Sequence, residues 1–323
     1  MKPCRVCRVK GRSTPRTGRG RPPCHAVQCR AESGRRTSLT VWWLGTRPKL
    51  GGQSRYWLPL CSQAPADVRH RPLAPFQIDA QGIATLTIRG AKALNIIGTP
   101  AIVAATQALA RLREAPGLRV LVLRGPSDGC FVGGADIQEM AQLTPETAEA
   151  FITRLKDLCE AVRNCPVPVI ARLAGWCLGG GLKLAAACDL RIASADTHFG
   201  MPEVKVGIPS VIHAALLPRL LGRSVATGML LTGEPVDAAT ALGFGLLHRV
   251  CEPAGLDAAV AQVAQQLASL GPQVLRQQKA LLRSWDDQPL DAAIAASVAA
   301  FCQAFGTGEP QRYMQHFLDR KRR

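Results

Sequence analysis

Ala174-Gly-Trp-Cys-Leu-Gly-Gly-Gly-Leu-Lys183 decides the fold. It follows the apolar run Val167-Pro-Val-Ile-Ala-Arg172, which reads as a buried strand, and it leads into Leu184-Ala-Ala-Ala-Cys188, which reads as a helix. Three consecutive glycines therefore open a helix directly after a strand. Backbone N–H groups at such a point have no helical partner, and the helix dipole favours negative charge there.

A second stretch of the same kind lies upstream. Gly129-Cys-Phe-Val-Gly-Gly-Ala-Asp-Ile137 follows the strand Arg119-Val-Leu-Val-Leu-Arg124, and a helical pattern starts at Ile137. Its glycines let the backbone approach a ligand closely, and the Ala135 N–H falls near the helix start. Taken alone, this is also an ordinary glycine-rich strand-to-helix turn. Two such turns can aim two donors at one oxygen, which is the logic of an oxyanion hole.

Outward from these turns, strands and helices alternate. Ile83 to Ile88 alternates as a strand, Thr99 to Glu114 reads as a helix, and Pro145 to about Arg163 is another, with Phe151, Leu155, Leu158 and Val162 at helical spacing. Asp189-Leu-Arg-Ile-Ala193 is a further strand, and after residue 210 the pattern is helix upon helix. The order predicts one α/β domain over 73–323, a core to about residue 250 and a helical C-terminal part over 251–323.

Residues 1–72 differ in texture. They hold 16 Lys and Arg against Glu32 and Asp67, so +14 of the net charge of +17 lies there. With no sustained period of 2 or 3.6, the segment is expected to be a basic, disordered extension. Cys4, Cys7, Cys24 and Cys29 could form a metal site, although the spacing of the second pair is unusual. An organelle transit peptide, non-specific nucleic-acid binding and an inert extension are the other readings. The remaining residues are near neutral, so nucleic acid is expected as a partner only through residues 1–72. No apolar run approaches the ~20 residues that cross a bilayer. Seven cysteines scattered singly after residue 73 suit a reducing, cytoplasmic setting.

The linked motifs resemble the crotonase superfamily, the enoyl-CoA hydratase/isomerase family. Phe131-Val-Gly-Gly-Ala-Asp-Ile137, Gly175 to Gly181, Ala187-Cys-Asp-Leu-Arg-Ile-Ala193, Phe199-Gly-Met-Pro-Glu203, Leu217-Pro-Arg-Leu-Leu-Gly222, Leu231-Thr-Gly-Glu234 and Phe317-Leu-Asp-Arg-Lys321 follow that family's order over about residues 73–323. The resemblance implies a ββα spiral core with a helical C-terminal extension, an acyl-CoA thioester as ligand, and a homotrimer or hexamer. It implies no metal and no cofactor beyond the coenzyme A of the substrate. It also implies the Ala135 and Gly180 N–H groups as the oxyanion pair, and Glu203 as the acid that moves a proton beside the thioester. Ala91, Lys92 and Ala93 match the loop along the adenine end of coenzyme A, and Ala135, Asp136, Ile137 and Gln138 match the segment along its arm.

Lys183 departs from the pattern. Hydratases of the family carry a second Glu at this position, and an ammonium cannot accept the proton of an attacking water. Lys183 is expected to pair with Glu203. The Asp that some members carry about eight residues after that Glu is absent around Ser210-Val211. The expected activity is of the enoyl-CoA hydratase/isomerase type, a lyase or isomerase. Alternatives are a one-carboxylate isomerase or other enolate chemistry, or a catalytically reduced binding protein, with RNA as a partner of the basic segment. His198, His213, Trp176 and Cys177 are read as packing residues.

Overall fold

The structure is a computed structural model and describes Ala26–Arg30, Arg36–Thr40 and residues 72–321. Strands β1 (Ala26–Arg30) and β2 (Arg36–Thr40) form an antiparallel ribbon with Gln28 opposite Ser38. This ribbon is regular structure inside the segment expected to be disordered, where no alternating pattern had marked strands. The proposed metal ligands Cys4, Cys7 and Cys24 lie outside the described residues.

The compact unit Ala66–Arg323 is built on a repeat. An antiparallel strand β3 (Phe76–Ile78) precedes β4 (Ile83–Thr87), which leads to α1 (Thr99–Arg113). Then β5 (Val120–Arg124) is followed by β6 (Cys130–Val132), a single turn α2 (Ile137–Met140) and α3 (Pro145–Arg163). The unit recurs as β7 (Val169–Leu173), β8 (Trp176–Leu178) and α4 (Gly180–Ala186). It recurs again as β9 (Leu190–Ser194), β10 (His198–Gly200) and two 3-10 turns, Pro202–Val206 and Ile212–Leu216. The chain continues through α5 (Leu217–Leu221), α6 (Arg223–Thr232), β11 (Val236–Asp237), α7 (Ala238–Gly243) and β12 (Arg249–Cys251). Four helices close it: α8 (Leu256–Ser269), α9 (Pro272–Asp287), α10 (Leu290–Phe305) and α11 (Glu309–Lys321).

β3 and β4 both lie in a six-stranded sheet, ordered β12-β9-β7-β5-β4-β3; in the three units that follow, the first strand enters that sheet and the second enters a four-stranded sheet, ordered β11-β10-β8-β6. All pairings in the larger sheet are parallel except that of β3. A parallel sheet is covered on both faces. The main core, with Leu121, Leu123, Val169 and Ala171, packs one face against the small sheet and α1, α3 and α4. Val120, Val122, Ile170 and Ile192 face the other way and meet Leu256, Val260 and Ala264 of α8. That double burial is why β5 and β7 read as continuous apolar runs. α3 starts where Thr144 and Thr147 form a reciprocal capping box and Pro145 takes the first turn.

Candidate active site

The small sheet positions the site. Its strands β6, β8 and β10 are parallel neighbours, so their C-terminal ends lie along one edge. The chain leaving β6 is Gly133-Gly134-Ala135, the chain leaving β8 is Gly179-Gly180, and the chain leaving β10 is Met201-Pro202-Glu203. Ligands of parallel sheets collect at such carboxyl ends. The sequence reading missed β6, β8 and β10 as strands. Each spans only three residues, too short for alternation to register.

Two backbone conformations set the turns. Gly134 has φ +127 and Gly179 has φ +51, both in the region that suits glycine. Gly179 also has Glu203 against it: a Cβ there would stand 3.2 Å from Glu203 Oε1. At Gly180 a Cβ would meet Leu155 Cδ2 at 3.4 Å and the Ala135 nitrogen at 3.7 Å. Ala135 and Gly180 are thus brought together, as the sequence motifs suggested. Among the described residues neither N–H donates to a backbone or side-chain acceptor.

Glu203 is buried, with 8% of its surface exposed. Its Oε2 accepts a hydrogen bond from Ser210 Oγ at 3.1 Å. Its Oε1 lies 2.9 Å from Lys183 Nζ, an ion pair whose side chains are 4% and 10% exposed. The approach is out of line for a hydrogen bond, and Oε1 has no hydrogen-bond partner among the described residues. Lys183 sits in the first turns of the fully buried helix α4, its N–H bonded to Gly179 O at 3.0 Å. A buried charge of this kind persists where a partner offsets its desolvation.

The segment 91–97 is laced onto the first turn. Gly133 N–H donates to Leu94 O at 2.9 Å, Ile97 N–H to Gly134 O at 3.0 Å, and Asp136 N–H to Ile97 O at 3.2 Å. Asn95, buried and at φ +48, donates from Nδ2 to Ile88 O and Phe131 O and accepts from the Gly90 N–H through Oδ1. Its role was not legible in the sequence, because it depends on a loop conformation. Glu139 of α2 accepts from the Thr99 N–H at 2.8 Å and from its hydroxyl, and so fixes the start of α1. Lys92 Nζ reaches Gln138 Oε1 at 3.1 Å, so Ala91, Lys92 and Ala93 lie beside the stretch Ala135, Asp136, Ile137 and Gln138. Asp136 caps α2 by accepting from the Gln138 N–H at 2.9 Å.

A cavity of about 760 Å³ opens here, lined by Gly134, Ala135, Gly180, Lys183 and Glu203 and by apolar side chains of α3 and of residues 202–211. His198, His213, Trp176 and Cys177 do not line it. Trp176 stacks on His198 with ring centroids 4.8 Å apart. His213 approaches Glu160 at 3.1 Å, and burial pushes its pKa down, only partly offset by that carboxylate. Cys177 is wholly buried and its thiol is pushed well up by desolvation. The arrangement can hold one anionic oxygen on two N–H donors, with a carboxylate beside it.

The sequence model of the enoyl-CoA hydratase/isomerase family matches residues 79–323. The chain is 32% identical over 241 residues to the crotonyl-CoA hydratase of Syntrophomonas wolfei, covering 74% of this chain and 93% of that protein. It is 35% identical over 218 residues to the (E)-benzylidenesuccinyl-CoA hydratase of Thauera aromatica, covering 67% and 84%. The crystal structure of an enoyl-CoA hydratase from Mycobacterium smegmatis superimposes with a TM-score of 0.75 at 29% identity, covering 77% of this chain and 97% of that one. With two sheets wound through successive ββα units, the chain has the crotonase fold and is an acyl-CoA enzyme of the enoyl-CoA hydratase/isomerase family.

Proposed function

We propose that the Ala135 and Gly180 N–H groups bind the carbonyl oxygen of an acyl-CoA thioester and that Glu203 moves a proton at the adjacent carbon. The observation that carries this is the convergence of two unpaired N–H donors with a buried carboxylate that lines the same cavity. The Glu203 carboxylate takes the α-proton, the C–H electron pair becomes the C=C bond, and the carbonyl electrons move to the oxygen as an enolate. Each N–H aimed at that oxygen contributes a few kcal/mol to the transition state. Returning the proton to another carbon shifts a double bond. Addition of water needs a further group to take the water's proton, and Lys183 is an ammonium. Double-bond isomerisation or related enolate chemistry therefore fits the site better than hydration, and no cofactor beyond coenzyme A takes part. Ala91, Lys92, Ala93 and residues 135–138 are read as the lane for the coenzyme A arm.

The test is isotope exchange. In D2O, mass spectrometry of acyl-CoA thioesters incubated with the protein should show deuterium entering the α-carbon, and Glu203→Gln should abolish it. No exchange with any thioester that binds would refute the reading.

We also infer a homotrimer or hexamer. Leu290, Ile294, Val298 and Phe301 form an exposed stripe along α10, beside exposed Leu282 of α9 and Phe317 of α11. A row of large apolar side chains exposed along one helix face is the kind of surface that marks an interface. Light scattering of the purified protein reads the subunit number directly. The seven free cysteines whose side chains are described support a reducing compartment, the cytoplasm. The +14 charge of residues 1–72 supports a second reading for that segment alone, nucleic-acid binding, which a salt series with and without the segment would expose.

A further inference from the structure

The cavity is much larger than the reacting atoms require. Leu155 marks its catalytic end, since its Cδ2 would touch a Cβ on Gly180 at 3.4 Å. The same face of α3 carries Ile152 and Ala148 along the wall, at helical spacing, and the N-cap Thr144 continues it. Ala148 is seven residues from Leu155, about 10 Å along the helix axis. Facing α3 are Val206, Ile208 and Val211, of which Val206 is 50% exposed and has no apolar neighbour of the chain covering it fully.

The lysines of this wall already have carboxylate partners. Lys183 is held by Glu203 at 2.9 Å and Lys205 by Glu234 at 2.7 Å. Glu149 lines the cavity and has no ion-pair partner among the described residues. A carboxylate on the acyl group would face Glu149 and find no uncommitted lysine there.

Resting on the thioester reading above, we propose that the cavity selects an uncharged, apolar acyl group of about eight carbons, seated between the Ala148–Leu155 face of α3 and residues 206–211. A four-carbon acyl group has three carbon–carbon bonds of ~1.5 Å and spans less than about 5 Å, half of the distance to Ala148. Eight carbons reach it. Each additional methylene that becomes fully buried strengthens binding roughly fourfold.

The experiment is calorimetric titration with octanoyl-CoA, butyryl-CoA and glutaryl-CoA. Octanoyl-CoA should bind at least ~10-fold tighter than either of the others, allowing for incomplete burial. Ala148→Trp should reduce the octanoyl-to-butyryl affinity ratio at least ~10-fold, because the indole fills the far end. Val206→Trp, on the exposed opposite wall, repeats the test if the first variant does not fold. Equal binding of butyryl-CoA, preference for glutaryl-CoA, or a ratio untouched by both variants overturns the proposal. Absence of binding by all three thioesters overturns it together with the thioester reading, whereas the expected order without deuterium exchange upholds it and counts against Glu203 alone.

Discussion

Lys183 and Glu203 meet at 2.9 Å inside the wall of the cavity, one from a helix that follows β8 and the other from the turn that follows β10. The contact puts a cation where the family resemblance implies a second carboxylate.

Replacing that cation tests its consequence. Wild-type protein should hydrate short enoyl-CoA thioesters poorly, and Lys183→Glu should raise the rate at least ~10-fold, because a carboxylate pair can divide the acid and base roles across one water. Two close carboxylates titrate together, so the gain should be confined to a pH window. Loss of the conjugated thioester absorbance, followed across pH, measures it. Robust hydration by wild type that the substitution fails to improve would mean that another group activates water.

The same pair has a stability signature. Lys183→Met should destabilise the fold by about 3 kcal/mol or more, since it strands a buried carboxylate, and Lys183→Met/Glu203→Leu should recover most of that loss. Urea unfolding of the single and double variants gives the coupling. Additive losses would show that solvent already screens the pair.

Gly180 bears on turnover rather than on folding. A Cβ there fits against Leu155 without a clash but stands 3.7 Å from the Ala135 nitrogen, in the space the thioester oxygen needs. Gly180→Val should lower the exchange rate more than ~100-fold, the scale of a lost oxyanion donor, while circular dichroism stays native. Wild-type-like exchange would contradict the assignment.

Acid should weaken the fold through His213. Burial lowers its pKa below the ordinary histidine value, so on acidification the unfolded chain gains the proton first. Stability contributed by the neutral ring is present above pH ~6.5 and is lost as pH falls from there toward the folded-state value. His248 shifts the same way, from burial and then from Arg191. Urea midpoints at pH 7.5, 6.5 and 5.5 should fall, and His213→Gln should flatten the slope. An unchanged slope would mean that the ring is already solvated.

The strands of the large sheet were legible because β5 and β7 are apolar on both faces and long enough to show it. α3 was legible to its last residue because Pro145 and the spacing of Phe151, Leu155, Leu158 and Val162 agree. Ala135, Gly180 and Glu203 stood out through linked motifs. Ser210 did not: it was noticed only for lacking an acid, yet its hydroxyl holds Glu203 Oε2. A hydrogen bond seven residues away across a 3-10 turn leaves no periodic trace. The C-terminal third was read as helical throughout, and the short strands β11 and β12 escaped notice because each is an edge strand of two or three residues.

The turns that carry Ala135, Gly180 and Glu203 are rooted in adjacent strands of one sheet, whereas the wall facing the acyl chain comes from α3 and the 206–211 segment outside that sheet. Selection can therefore act on the two separately. Substitutions along the exposed edge of α3 or at Val206 alter which substrate fits without shifting the hydrogen bonds that register the strand ends. New specificities should arise there by single steps, while changes of reaction type require substitutions at the strand ends themselves, such as position 183.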